Sequence, residues 1–216
     1  MKWLVRGVAA LLVIIFLINT FGPRETIDWT LTFDDVELGD DLDRYLAEAE
    51  ARVPNLKPGA EKTIRWAGVP GVKTDIALIY VHGFSASRNE IQPVPERVAE
   101  ALGANLFQTR LVGHGRDGPA LGGARANDWI NDMAEALAIG AQLGERVVVI
   151  GTSTGATLSL LFSVNPGFEF AMSGMILISP NFEIAAEGAN LLTRPFARTI
   201  VPWFCLLYTS PSPRDS

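Results

Sequence analysis

The sequence predicts an α/β fold built on a mostly parallel sheet with helices on both faces, and two observations carry that prediction. Short apolar runs recur at Asp75–Val81, Asn105–Val112, Val147–Ile150 and Met172–Ser179. Helical patterns separate them, at Pro95–Leu102, from Asn127 to about Leu143, and from the glycine-flanked turn after Ile150 to about Val164. Strands alternating with helices of this length mean a parallel sheet covered on both faces.

Taken from the N-terminus, Trp3 to Phe21 is apolar apart from Arg6, Asn19 and Thr20. At ~1.5 Å per residue such a helix reaches about 30 Å, so residues 1–23 are expected to form a transmembrane signal anchor. Lys2 and Arg6 lie on its N-terminal side, which leaves the start in the cytoplasm and sends the rest across. That places the domain on the extracytoplasmic side of a bacterial cytoplasmic membrane. A cleaved signal peptide is the alternative, although Pro23 follows directly and no A-x-A pattern precedes it.

Residues 24–61 are expected to form a connector. It holds a short strand near Trp29–Phe33 and a helix from Leu42 to Val53 capped by Asp40, with Leu42, Tyr45, Leu46 and Ala49 on one face. Pro54 and Pro58 end that helix. Lys62–Ala67 reads as a short strand and Gly68–Lys73 as a turn before the Asp75–Val81 strand. Gly103 closes the Pro95–Leu102 helix, and Gly113–Ala126 reads as a glycine-rich loop. Asn127-Asp128 are expected to cap the long helix whose apolar face is Trp129, Ile130, Met133, Ala136, Leu137 and Ala141, and Gly144 closes it.

The chain of 216 residues suits one domain of this class. A net charge of −6 and the lack of a basic cluster exclude a nucleic-acid partner as an expectation. The acidic residues Asp34, Asp35, Asp40, Asp41 and Asp43 read as a solvated face or helix cap. Two histidines in separate motifs make a metal site unexpected. Gly-Thr-Ser-Thr-Gly lacks the lysine of a phosphate-binding loop, and no cofactor is expected.

Val147-Val-Val-Ile runs into Gly151-Thr152-Ser153-Thr154-Gly155 and then into an apolar helix. G-x-S-x-G between a buried strand and a helix is the setting of a nucleophile elbow. Glycines at 151 and 155 remove side chains that would collide in so tight a turn, and Ser153 is lifted to a helix N-terminus, where developing negative charge is favoured. Upstream, the first core strand ends in His82-Gly83-Phe84-Ser85 and the next in Gly113-His114-Gly115.

This order of motifs resembles the α/β-hydrolase superfamily, in its branch of serine esterases, monoacylglycerol lipases and lysophospholipases, to which serine aminopeptidases belong. The resemblance spans residues 62–204, with the N-terminal part of the core at 62–180 and the start of a lid at 181–204. It implies Ser153 as nucleophile and the backbone N–H groups of Phe84 and Thr154 as oxyanion donors. It implies His82 and His114 as motif histidines that orient loops, with Gly83, Gly151 and Gly155 as supports. The implied substrate is a small-molecule ester or lipid, cleaved through an acyl-serine. A serine peptidase of the same fold and a non-catalytic binding protein are the alternatives.

The implied catalytic histidine follows the nucleophile in chain order, yet no histidine follows Ser153. Glu183 is a possible acid, or simply a lid residue. Residues 205–216, Cys205-Leu-Leu-Tyr-Thr-Ser-Pro-Ser-Pro-Arg-Asp-Ser, back-translate over Cys205–Asp215 to a transposase adapter used in preparing sequencing libraries. They are therefore expected to be a non-native scar, with the natural protein cut off near Phe204 and the chain close to inert. The only cysteine, Cys205, falls in that stretch.

Overall fold

In the computed structural model the described residues are 2–24, 26–182 and 194–196. The chain divides into two compact units, Met1–Ile27 with Glu183–Ser216, and Asp28–Phe182. The expected lid at 181–204 lies outside the described residues except at 181–182 and 194–196, and the tail 205–216 lies outside them entirely.

In the first unit, α1 (Lys2–Phe21) is a helix, apolar apart from Lys2, Arg6, Asn19 and Thr20. Its role as a transmembrane span is not supported, because among the described residues no helix is long and apolar enough to cross a membrane. The physical limit is the stretch free of charged and amide side chains, Gly7–Ile18. At ~1.5 Å per residue it covers about 18 Å, short of a hydrocarbon core of about 30 Å.

The second unit is built on a five-stranded sheet in the order β1-β3-β2-β4-β5. The strands are β1 (Thr63–Arg65), β2 (Thr74–Val81), β3 (Asn105–Gln108), β4 (Gly144–Thr152) and β5 (Gly174–Ile178). Only β1 runs antiparallel to its neighbour, β3; every other pairing is parallel. The helices are α2 (Leu42–Ala51), α3 (Val94–Leu102), α4 (Gly118–Gly123), α5 (Ala126–Leu143) and α6 (Thr154–Val164).

Alternate residues of β2 divide the core. Ala77, Ile79 and Val81 pack with Leu42 and Leu46 of α2, Met133 and Leu137 of α5, and Leu158 and Phe162 of α6. Leu78 and Tyr80 face the other way, toward Ala99 of α3 with Leu106 and Ile150. Both faces are thus covered, which is why the strand runs carry no polar alternation. The chain steps from β2 to β3 on one side, then crosses back to β4 on the other. That reversal sets the carboxyl ends of β2 and β4 side by side, with Val81 opposite Gly151, at the position where open α/β sheets bind ligands.

Several local expectations are corrected. Residues 29–33 form no strand. Asn131 Oδ1 accepts the Thr32 and Phe33 N–H groups at 2.7 and 2.9 Å, and Asn127 Nδ2 donates to the carbonyls of Asp28 and Thr30, so side-chain amides of α5 replace a ladder partner. The cap of α2 is Asp41, not Asp40, and the helix ends at Ala51. Asn127 is therefore committed to the connector, while Asp128 accepts the Arg125 N–H at 2.7 Å and opens α5. Asp117 caps the short α4, inside what the glycines suggested was loop throughout. β3 stops at Gln108: the Thr109 N–H still donates to Tyr80 O at 3.1 Å, but farther on the amides find side-chain acceptors, Leu111 N–H on His82 Nε2 at 3.1 Å and Val112 N–H on Asp132 Oδ2 at 2.6 Å.

Candidate active site

Ser153 occupies the turn between β4 and α6 with φ 48° and ψ −109°, a conformation that costs a non-glycine residue on the order of 1–3 kcal/mol. The surroundings hold it there. The Ser153 N–H donates to Ile178 O at 2.8 Å, and its carbonyl accepts the Thr157 N–H at 3.0 Å. The flanking glycines are required by contact: a Cβ at 151 would stand 2.6 Å from Ala156 N, and one at 155 would land on the Val81 carbonyl. The hydroxyl is left at the sheet's carboxyl edge, at the first turn of α6, where unpaired N–H groups favour negative charge.

The loop after β2 lies alongside. A Cβ at Gly83 would stand 3.2 Å from Ser153 Cβ, so glycine here permits the approach of loop and nucleophile. Among the described residues neither the Phe84 nor the Thr154 N–H has a hydrogen-bond acceptor. Both belong to backbone adjoining the serine, the arrangement an oxyanion site needs. The Phe84 ring is 56% exposed and meets His114 and Trp129 edge-on.

Both histidines are buried, and every ring nitrogen is engaged away from Ser153. His82 Nδ1 donates to Gly83 O at 2.8 Å while Nε2 accepts from Leu111, which fixes its neutral tautomer. Burial, above all, lowers its pKa to about 4. His114 Nδ1 faces the carbonyls of Leu111 and Val112 at 3.2 Å, and Nε2 accepts the Ser85 N–H at 3.0 Å; burial lowers its pKa too. The pair locks the loop after β2 to the loop after β3. Neither has a nitrogen left to take a proton from serine.

A buried ionic cluster that the sequence reasoning missed braces the same loops. Arg110 donates to both carboxylate oxygens of Glu50, at 3.0 and 2.8 Å, and reaches His114 O at 3.5 Å. Lys62 pairs with Glu135 and with Asp132, and Tyr45 O–H donates to Glu135 at 2.8 Å. Burial alone would lower the pKa of Lys62 and of Arg110, but the carboxylates around them outweigh it and raise both. Asp132 is raised to about 6, mainly by burial, against the pull of Lys62. One signal was available: Glu50 continues the apolar stripe Leu42, Leu46 at helical spacing, and a charge on such a stripe needs a partner.

Residues 73–214 match the family described as serine aminopeptidase, S33. The chain belongs to that family. It is an α/β hydrolase of the esterase and lipase branch. A thermostable monoacylglycerol lipase from Bacillus sp. (strain H-257) is 29% identical over 85 residues, which are 39% of this chain and 34% of the lipase. The solved structure of a metagenome-derived lipolytic enzyme superposes with a TM-score of 0.55 at 23% identity, covering 64% of this chain and 53% of that one, and supports the fold. An esterase of Pyrococcus furiosus gives a TM-score of 0.46 at 18% identity over 88% of this chain and 69% of that one. The chain thus spans about a third of the lipase's length and half of the lipolytic enzyme's.

Proposed function

We propose that the complete protein is a serine hydrolase that cleaves carboxylic esters, with lipid or lysolipid esters as the substrate class. The observation that carries this reading is the strained Ser153 at the crossover of the sheet, beside two backbone N–H groups without acceptors. Ser153 Oγ attacks the ester carbonyl, the Phe84 and Thr154 amides hold the oxyanion, and the alcohol leaves as an acyl-serine forms. Water then releases the acid. The proton of Ser153 needs a base, and both histidines of this chain are committed to loop contacts. On this reading the base is a histidine supplied by sequence after Phe204, and the chain without it is close to inert.

The lipid preference draws on the monoacylglycerol lipase relative and on exposed Phe84, next to Gly83 in the loop alongside the serine. A peptidase reading is favoured by the family description alone. Hydrolysis of a short-chain glyceryl ester against an aminoacyl amide, each with wild type and Ser153→Ala, separates the two. We also place the domain at the extracytoplasmic face of a bacterial membrane, on the strength of Lys2 and Arg6 ahead of the exposed apolar side chains of α1. Protection of the domain from protease added to spheroplasts would count against that location.

A further inference from the structure

Glu90, four residues before the start of α3, takes no part in the chemistry described above, yet its carboxylate stands at the nucleophile. Oε2 is fixed by two donors, the Gly83 N–H and the Tyr80 O–H, each at 2.9 Å. Tyr80 is fully buried and its hydroxyl also lies 3.4 Å from Thr152 Oγ1, so the anchor is part of the core rather than a surface contact. Oε1 accepts no hydrogen bond among the described residues. It points to the space that glycine leaves open at position 83: a methyl group there would stand 2.9 Å from Glu90 Oε1 and 3.2 Å from Ser153 Cβ. The free oxygen and the Ser153 side chain therefore flank Gly83 across a gap too narrow for a methyl group, which puts the carboxylate beside the nucleophile. The residue is exposed, so a substrate reaches it without displacing protein.

We propose that Glu90 is a specificity-determining residue whose free oxygen binds a cationic or hydroxyl donor close to the scissile ester. This rests on the serine-hydrolase reading. An acceptor with one oxygen pinned and the other unpartnered is oriented before substrate arrives, so little ordering opposes the contact. A charge-assisted hydrogen bond from an ammonium is the strongest partner it can take, a hydroxyl the next. An anionic group at the same place is repelled. The negative charge also disfavours the oxyanion itself, which makes a cationic substrate group beside it doubly favourable.

The test compares two esters of matched shape, 2-(dimethylamino)ethyl butyrate, cationic at neutral pH, and 3-methylbutyl butyrate, its neutral counterpart. The full-length protein and its Glu90→Gln variant are assayed on both. Glutamine keeps an oxygen for Gly83 and Tyr80 but presents a donor in place of Oε1. The expected result is that the ratio of kcat/KM, cationic over neutral, falls ~10-fold or more in the variant. Using the ratio cancels any common loss from a shifted loop. Labelling of Ser153 by a fluorophosphonate is followed in the same samples. If Ser153 is labelled in both proteins and the ratio does not change, the subsite is overturned and the hydrolase reading stands. If Ser153 of the wild type is not labelled, the hydrolase reading fails and the subsite with it.

Discussion

His114 Nε2 accepts the Ser85 N–H at 3.0 Å, so the histidine of the Gly-His-Gly turn holds the residue next to the Phe84 amide. A histidine so engaged positions the oxyanion loop and does not move the serine's proton. In the full-length protein, His114→Ala should therefore lower kcat by roughly 100-fold or less through misplacement of the donor, with KM nearly unchanged. Fluorophosphonate labelling of Ser153 should slow but persist. Loss of a general base would instead cost ~10⁴-fold or more and abolish labelling.

Acid should destabilise the fold through His82. Its folded pKa of about 4 lies below the ordinary value of 6.5, so the contribution is complete above pH 6.5 and is lost as pH falls through 4. By pH 4 that loss is on the order of 3 kcal/mol. Asp132 works in the opposite sense: its pKa, raised to about 6, gives a contribution present below the ordinary 3.8 and lost as pH rises through 6. Urea unfolding at a series of pH values should show His82→Gln less stable than wild type at pH 7, with a shallower decline between pH 6.5 and 4. An unchanged slope would place the acid sensitivity elsewhere.

The Glu50–Arg110 pair joins α2 to the loop after β3, with both side chains buried. Arg110→Met should cost about 3–5 kcal/mol, because it leaves the Glu50 charge buried without a partner. Adding Glu50→Leu should restore most of that loss. Chemical denaturation of the single and double variants reads the effect directly; a double variant no more stable than the single one would mean the connector is held by something other than charge compensation.

Gly155→Ala should abolish the elbow, since the added methyl meets the Val81 carbonyl, a rigid backbone group of the central strand. A loss of ~3 kcal/mol or more is expected. Gly123→Ala, where the added methyl meets nothing within 4 Å, serves as the comparison and should change stability little. Equal melting temperatures for the two variants would contradict the packing described here.

The core of the fold was legible because it rests on periodicity and on glycines. Apolar runs mark β2 and β4, and Gly151 and Gly155 mark the elbow, in the sequence alone. What escaped were features set by contacts between distant residues. Trp29–Phe33 looked like a strand, but its amides are satisfied by Asn131, about a hundred residues away. The end of β3 was misplaced because His82 and Asp132, far off in sequence, capture the amides of Leu111 and Val112. Asn127 looked like a cap and instead holds the connector. At the site, Ser153 could be named from the G-x-S-x-G motif between strand and helix, and Phe84 and Thr154 from the family resemblance. Glu90 could not, since nothing in sequence says that its carboxylate folds back on Gly83.

The most direct test of the account is to map, by peptide mass spectrometry, where a fluorophosphonate attaches to the full-length protein and to the 216-residue chain. The account requires the full-length protein to carry the adduct on Ser153 alone and to lose it in Ser153→Ala, while the 216-residue chain reacts at a negligible rate. An unlabelled Ser153 in the full-length protein would contradict the assignment of nucleophile. Rapid labelling of the shorter chain would show that one of its own residues activates the serine, against the engagement of His82 and His114 described here.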